Sequence, residues 1–379
     1  MTLRKADAVK TALMTITLII LAGLLIAALA FSLIANRPGD ASPSCREFYR
    51  GMENPPAAAL EWCQAGGYFS WQSTLPENAG YGALNIFHVC QGNPEHPAVL
   101  MIHGYPTSSY DYADLAKELS RDHYVCALDT PGYGFSDKPK DGYQYSIFDD
   151  ARLVDEYIRQ VARLDEVVLL THDKGDSVGL ALLQIYQAYD DRPYTINHHF
   201  VTNGNIYLPL AQLTLAQKAL LNPILGPLLS SLVSGDTLAR GLAEQVFAQQ
   251  LPQSEIDALA SIFGYQDGMT VQHDVIKYLN ERTENEVAWL ETLGRSDVPA
   301  TIIWGELDGV APPAVPDYVW ANYLQDRDAP AAYWRIPCAD HYLQVDEPEL
   351  IASIVRATLG ADPLPSAIEG ADCQAVRVH

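Results

Sequence analysis

From about residue 67 onward, short apolar runs alternate with segments whose apolar positions recur every three or four residues. The runs Tyr68–Trp71, Leu84–Cys90, Val99–Ile102, Tyr124–Leu128, Val167–Leu170, Phe200–Thr202, Thr301–Trp304 and Tyr333–Ile336 predict eight strands. Helical spacing covers Tyr110–Leu119, Phe148–Ala162 and Val178–Tyr189. Strands separated by helices pair mostly in parallel, with helices on both faces of the sheet, so the class is α/β. The first two runs, joined without a helix, predict an antiparallel start. One interval breaks the alternation: Tyr207 to Trp289 has helical spacing, Gly and Pro breaks and no strand run. It reads as a helical cap inserted after the sixth strand, over the carboxyl ends of the strands where open α/β sheets bind ligands. The pattern divides the chain into 1–36, a linker with a short helix over 37–66, core over 67–206, cap over 207–289, core over 290–362, and a tail over 363–379.

The first segment departs from globular composition. Leu13 to Ala35 contains no charged residue, about the ~20 residues a helix needs to cross a bilayer. Arg4, Lys5 and Lys10 precede it, which favours a cytoplasmic N-terminus and a catalytic domain outside the cytoplasm. The alternative is a cleaved signal peptide with a small-x-small site at Ala28–Ala30, but the apolar run exceeds the usual ~7–15 residues. A net charge of −23 repels a phosphate backbone, and no basic run offsets it, which sets nucleic acid aside. Of the six cysteines, Cys90 and Cys126 fall inside strand runs and read as packed thiols. Cys45, Cys63, Cys338 and Cys373 lie nearer loops, with Cys45 to Cys63 the first candidate bridge in an exported domain. No cysteine or histidine spacing marks a metal site, no Gly-rich phosphate loop marks a nucleotide cofactor, and the oligomeric state is not readable.

The chemistry concentrates at the ends of the strand runs. In VVLLTHDKGDSVGLALLQIY, a strand runs into Thr171-His172-Asp173-Lys174-Gly175 and then a helix. This is the small-x-nucleophile-x-small turn that lifts a nucleophile above a sheet; an ordinary helix cap at Asp173 is the alternative. Thr171 is larger than the residue usually found there. Val99–Ile102 ends in His103-Gly104-Tyr105-Pro106, where the Tyr105 amide, with that of Lys174, would form an oxyanion hole. Asp308 follows the seventh strand run and His341 the eighth, the order nucleophile, acid, histidine; Glu306 competes with Asp308 as the acid. A carboxylate nucleophile attacks carbon to give an enzyme-bound ester, and a neutral imidazole then activates water to hydrolyse it. The Gly132-Tyr133-Gly134 turn reads as a plain strand-to-helix loop.

With these motifs the sequence resembles the epoxide hydrolase and haloalkane dehalogenase branch of the α/β-hydrolases. It is similar, more narrowly, to the mesoderm-specific transcript protein group through HGYPTSSYDYADL, ALDTPGYGFSDKPKDGYQYSIFDDA and THDKGDSVG. The resemblance covers Leu84 to Leu359 and implies an α/β-hydrolase fold, an Asp nucleophile, no cofactor and a small-molecule substrate. Haloalkane dehalogenases usually carry Trp after the nucleophile to hold the halide, where this chain has Lys174. Epoxide hydrolases use two cap tyrosines as proton donors; Tyr207, Tyr265 and Tyr278 are candidates here, and Arg282 stands where the second is sought. His103 and His172 complete the pocket candidates. Epoxide opening is the leading expectation, with a halide-releasing hydrolase and a catalytically silent ligand-binding protein as alternatives.

Overall fold

The computed structural model describes residues 44–361 and 363–379, and within them ten strands form one sheet. They are β1 Gly67–Trp71, β2 Leu84–Gln91, β3 Ala98–Ile102, β4 Tyr124–Leu128, β5 Glu166–His172, β6 Thr195–Thr202, β7 Ala300–Gly305, β8 Ala331–Ile336, β9 Ala367–Glu369 and β10 Gln374–Arg377. Their order is β1-β2-β4-β3-β5-β6-β7-β8-β10-β9. β4, β3, β5, β6, β7 and β8 run parallel, while β1, β2, β9 and β10 join antiparallel at the two edges.

The central strands are apolar without alternation because both sheet faces are covered. All five residues of β3 are buried, and they divide by the period of two: Leu100 and Ile102 join one apolar cluster, Val99 and Met101 the other. The helices are α1 Cys45–Arg50, α2 Ala57–Ala65, α3 Ala113–Leu119, α4 Ile147–Glu156 and α5 Lys174–Gln187 in the first half. Six more follow between β6 and β7: α6 Leu215–Leu220, α7 Leu225–Leu232, α8 Gly235–Gln245, α9 Gln253–Gly264, α10 Gln272–Val275 and α11 Tyr278–Arg295. The last are α12 Ala314–Val319, α13 Leu343–Asp346 and α14 Pro348–Gly360.

Several sequence expectations need correction. The sheet has ten strands, not eight, because the segment read as a tail supplies β9 and β10. Those strands are short and mostly polar, as edge strands are, and only Ala375 among them is fully buried. The stretch read as a linker is, from Ser44 on, part of the body: α1 and α2 are joined by the Cys45–Cys63 disulfide, and Tyr49 and Trp62 are buried. Cys90 and Cys126 are not free thiols. They stand directly opposite each other on antiparallel β2 and β4 and form a disulfide, as do Cys338 and Cys373, which ties β10 to the loop after β8. α11 carries the cap to Arg295, past residue 289, because Leu290 and Leu293 continue its buried stripe. The Leu13–Ala35 run and the Ala28–Ala30 site lie outside the described residues. Among the described residues, no helix is long and apolar enough to cross a membrane.

Candidate active site

Asp173 sits at the crest of the turn between β5 and α5 with φ 51° and ψ −111°, a backbone conformation that costs a non-glycine residue about 1–3 kcal/mol. Close packing holds it there. A side chain at Gly175 would place its Cβ 2.1 Å from the Ile102 carbonyl oxygen, and one at Gly104 would meet the Asp173 Cβ at 2.7 Å. At Gly204 a Cβ would stand 2.9 Å from the Asp173 Cα. Thr171, oversized for its position, fits because Gly179 leaves room: a Cβ there would lie 2.9 Å from the Thr171 Cγ2. The Thr171 hydroxyl donates to Asp176 Oδ1 at 2.6 Å and so helps fix the first turn of α5.

Although Asp173 occupies the helix-cap position, its side chain makes no capping hydrogen bond. The carboxylate instead accepts the Tyr105 N–H on Oδ2 at 2.9 Å. Lys174 opens α5, so its N–H is one of the first-turn amides outside the helical pattern. Across the site, His341 Nδ1 donates to Asp308 Oδ2 at 2.8 Å. Asp308 also accepts Asn203 Nδ2 at 2.8 Å and the amides of Val310 and Ala311 at 2.7 and 2.8 Å. Burial alone would raise Asp308, but the His341 charge and these hydrogen bonds hold it down to about 2. For His341, burial disfavours the cation, yet Asp308 and, more weakly, Asp173 and Asp340 outweigh it and raise the imidazole to about 9. Glu306, the competing acid, is paired with Arg335 at 3.3 Å.

The two other histidines support the turns. His103 Nε2 accepts the Thr130 N–H at 3.1 Å, so its proton is on Nδ1, which donates to the Gly104 carbonyl at 2.8 Å. Burial, reinforced by the Lys174 charge, pulls it down to about 3, and it stays neutral. His172 Nε2 donates to the His341 carbonyl at 2.9 Å, with its ring 5.0 Å from those of His341 and Tyr342. Burial and the His341 charge lower it to about 4.

Of the tyrosine candidates, only Tyr278 reaches Asp173. Its ring lies 5.8 Å from that of Tyr105, and its phenol is pushed well above the ordinary value by burial and by the Asp173 charge beside it. Its hydroxyl is directed at the Asp173 carboxylate, and among the described residues no other group engages it. Tyr207 stacks on Tyr318 at 3.9 Å, and Tyr265 packs against Phe48 and Phe135 with Lys138 over its face, so neither lines this site. Arg282 is fully buried: Nε donates to Ser177 Oγ at 2.6 Å, Nη2 to the Asp173 carbonyl at 2.9 Å, and Nη1 has no hydrogen-bond partner among the described residues. An arginine in the cap thus reaches into the core and clasps the strained turn from behind.

Two residues went unread in the sequence. Tyr133, between Gly132 at φ 90° and Gly134 at φ 48°, has its ring 5.0 Å from His103, and its buried hydroxyl has no hydrogen-bond partner among the described residues. After burial, the nearby Tyr278 and Asp150 are the largest influences raising its phenol, and Asp173 contributes too. The glycines on both sides were the available signal, since they let the loop turn inward. Asp150, on α4, forms a buried ion pair with Lys174, whose ammonium also donates to Thr130 Oγ1 at 3.1 Å and stands 4.6 Å over the Tyr133 ring. Burial raises Asp150 to about 6 against the opposing pull of Lys174.

The site is enclosed: Asp173 is 2% and His341 4% exposed, so substrate entry requires movement of side chains or cap. A cavity of about 850 Å³ lies at the other ends of the strands, beside Pro97, His198 and Pro299, away from this chemistry. Another of about 580 Å³ runs under the cap past Asp111 and Phe247 without touching Asp173 or His341. The Cys338, Glu347 and Cys373 grouping is close enough for a metal ion, but both sulfurs are spent in the disulfide.

Residues 97–192, which contain the strand-turn-helix and the Tyr105 loop, match the family model for the alpha/beta hydrolase fold. A putative hydrolase, LipZ, of Mycobacterium tuberculosis is 32% identical over 280 residues, covering 73% of this chain and 93% of the relative. The chain belongs to the α/β-hydrolase family. The human mesoderm-specific transcript homolog protein is 33% identical to this hydrolase over 264 residues, 67% of this chain and 75% of that one. Epoxide hydrolase 3 of Xenopus tropicalis is 23% identical over 301 residues, 74% and 76% of the two chains. Among solved structures, a haloalkane dehalogenase from Bradyrhizobium elkani superposes with a TM-score of 0.62 at 19% identity, over 78% of this hydrolase and 97% of the other chain. That likeness is one of fold.

Proposed function

We propose that this hydrolase works through Asp173 as a carbon-directed nucleophile and opens epoxides of small apolar molecules to diols. The observation that carries the reading is the Asp173 carboxylate, turned away from its helix and held on Oδ2 by the Tyr105 N–H. With one oxygen so held, the other attacks an epoxide carbon, the C–O bond breaks, and the ring oxygen takes a proton from Tyr278, with Tyr133 as the second donor. His341, oriented by Asp308, then removes a proton from water as it adds to the ester carbonyl. The oxyanion forms where the carboxylate oxygen was held, and its collapse breaks the ester bond; of the two protons of the added water, one goes to the departing alkoxide and one to the Tyr278 phenolate, with His341 as the carrier, which releases the diol and restores Asp173 and Tyr278. Each turnover consumes one water and no cofactor.

Halide release is the competing reading. Lys174, directly after Asp173 where haloalkane dehalogenases usually carry the halide-holding Trp, has its ammonium engaged by Asp150, Thr130 and the Tyr133 ring, which favours the epoxide. The test is mass spectrometry of a His341→Gln variant incubated with mixed epoxides and alkyl halides. An adduct on the peptide containing Asp173, formed from an epoxide, is the expected result; unmodified protein with undiminished ester turnover overturns the reading.

We also propose that Leu13–Ala35 anchors the chain in a membrane, with the hydrolase domain on the non-cytoplasmic side. Arg4, Lys5 and Lys10 ahead of the run support this, and so does the pairing of all six cysteines, a pattern of oxidising compartments. Resistance to alkaline extraction from membranes is the expected outcome, and release into the supernatant would refute the anchor.

A further inference from the structure

The cap contains a helix turned inside out. Along α7 the buried positions are Gly226 and Ser230, four residues apart, while Leu225, Leu228 and Leu232 face outward with 48%, 54% and 71% of their surface exposed. Ordinary amphipathic helices show the reverse, apolar stripe inward. Two contacts fix this orientation. A Cβ at Gly226 would stand 2.2 Å from the Leu220 carbonyl oxygen, and Ser230 Oγ accepts the His273 N–H at 2.9 Å. Ile224 and Leu215, at 81% and 85% exposed, extend the surface toward α6. No Asp, Glu, Lys or Arg occurs from Ala219 to Gly235, in a chain of net charge −23. A contiguous apolar patch of this kind on a soluble face marks an interaction surface.

We infer that the α6–α7 face of the cap docks on a lipid bilayer, its leucines entering the acyl boundary. The chain itself argues for that occupant over a protein partner. The uncharged run ends at Ala35 and the described domain begins at Ser44, eight intervening residues that reach under about 30 Å when fully extended. A domain tethered so closely beside a bilayer meets lipid continually. Lys218 is the one charge on α6 and α7, too little to direct a polar partner or to draw the face to anionic headgroups, so attachment is mainly hydrophobic and only weakly sensitive to salt. α7 packs against the 265–271 segment and α10, immediately ahead of Tyr278 and Arg282 on α11. Docking therefore holds the enclosing part of the cap at the surface in which an apolar substrate is dissolved. This inference rests on the anchor reading for its choice of occupant, but not on the proposed reaction.

The full-length chain is reconstituted with phosphatidylcholine vesicles after labelling a single introduced thiol, Leu228→Cys, with an environment-sensitive dye. All native cysteines are in disulfides, so the new thiol is the one available for labelling. An Asp328→Cys label, just before β8 at the opposite strand ends, is the control. Expected is at least threefold stronger quenching by brominated lipid at position 228 than at 328, reduced by half or more when Leu225 and Leu232 are both replaced by Ser. Equal quenching at the two positions overturns the inference. A dye shifted to the blue but untouched by brominated lipid overturns it as well, since the face is then covered by a second copy of the chain. Should the chain be extracted by alkali, the anchor reading fails alone, and quenching at position 228 on added vesicles still decides the docking.

Discussion

The two sides of the enclosed site differ in how completely the protein satisfies its own polar groups. On the sheet side, Asp308 has four hydrogen bonds, His341 Nδ1 is engaged, and Asp173 Oδ2 has the Tyr105 amide. Facing them, the Tyr133 hydroxyl and the Arg282 Nη1 are buried with no hydrogen-bond partner among the described residues, and the Tyr278 hydroxyl has Asp173 alone. A buried donor left unpaired costs about 1–3 kcal/mol, so a fold that retains two close to Asp173 is keeping capacity for something it binds. In the proposed reaction the sheet side supplies the groups of the chemical steps, and the opposing side meets the substrate. On this view, damage to the first removes turnover of every substrate, whereas damage to the second discriminates among substrates.

The largest effect is expected at Asp173, the proposed nucleophile. Asp173→Asn removes the anionic oxygen and should lower turnover of all substrates by about 10⁴-fold or more, with no adduct by mass spectrometry. If an ester substrate retained full activity, the sheet side would have been misassigned.

Next in size is the pH dependence of ester breakdown. In the proposed reaction neutral His341 is the base; its pKa of about 9 in the free enzyme means the protonated form dominates at neutral pH. Esterification of Asp173 removes one of the negative charges that raise it, so in the intermediate the imidazole gives up its proton more easily. The rate of diol release in single-turnover measurements should therefore rise about tenfold per pH unit on the acid side and level off below pH 9, whichever epoxide is used. A rate that falls as pH rises would break this assignment.

Tyr278→Phe tests the opposing side. Formation of the alkyl-enzyme from an epoxide should slow about 10²-fold, because the ring oxygen loses its proton donor, while displacement from an alkyl halide should be nearly unchanged. Tyr133→Phe should show the same selectivity with a smaller loss. Equal losses on both substrate classes, read from rapid-quench kinetics, would make these rings packing residues.

The two sides also differed in legibility. Asp173, Asp308 and His341 each follow a run of buried strand residues, and a strand end is visible in sequence because covered parallel strands are continuously apolar. Position relative to the sheet could therefore be read, and contact between the groups could not. The cap offered no such ruler. Tyr207, Tyr265 and Tyr278 have the same local character, and only the path of the chain between the helices brings one of them to Asp173. Arg282 could be named but not understood, since its role depends on reaching the Asp173 carbonyl from across the cap. Cys90 and Cys126 looked like core thiols because each lies in a strand; their pairing follows from β2 lying beside β4, an order the chain sequence does not spell out. Strands β9 and β10 were too short and polar to register.

The smallest expected effect concerns how tightly the sheet side is packed, and it bears on Thr171. Gly179→Ala would place a methyl 2.9 Å from the Thr171 Cγ2 and 2.8 Å from His199 Nε2, so one or both must yield. Overpacking of this kind destabilises by about 1–3 kcal/mol, and any shift of Thr171 is passed through its hydroxyl to Asp176 and the first turn behind Asp173. Thr171→Ser removes the methyl and keeps the hydroxyl. In the Thr171→Ser background, Gly179→Ala should therefore lose less stability, with a coupling of about 0.5 kcal/mol or more in denaturant melts, since directly contacting residues do not behave additively. Additive losses would mean that His199, not Thr171, carries the contact, and that the turn tolerates its oversized threonine without help from the glycine.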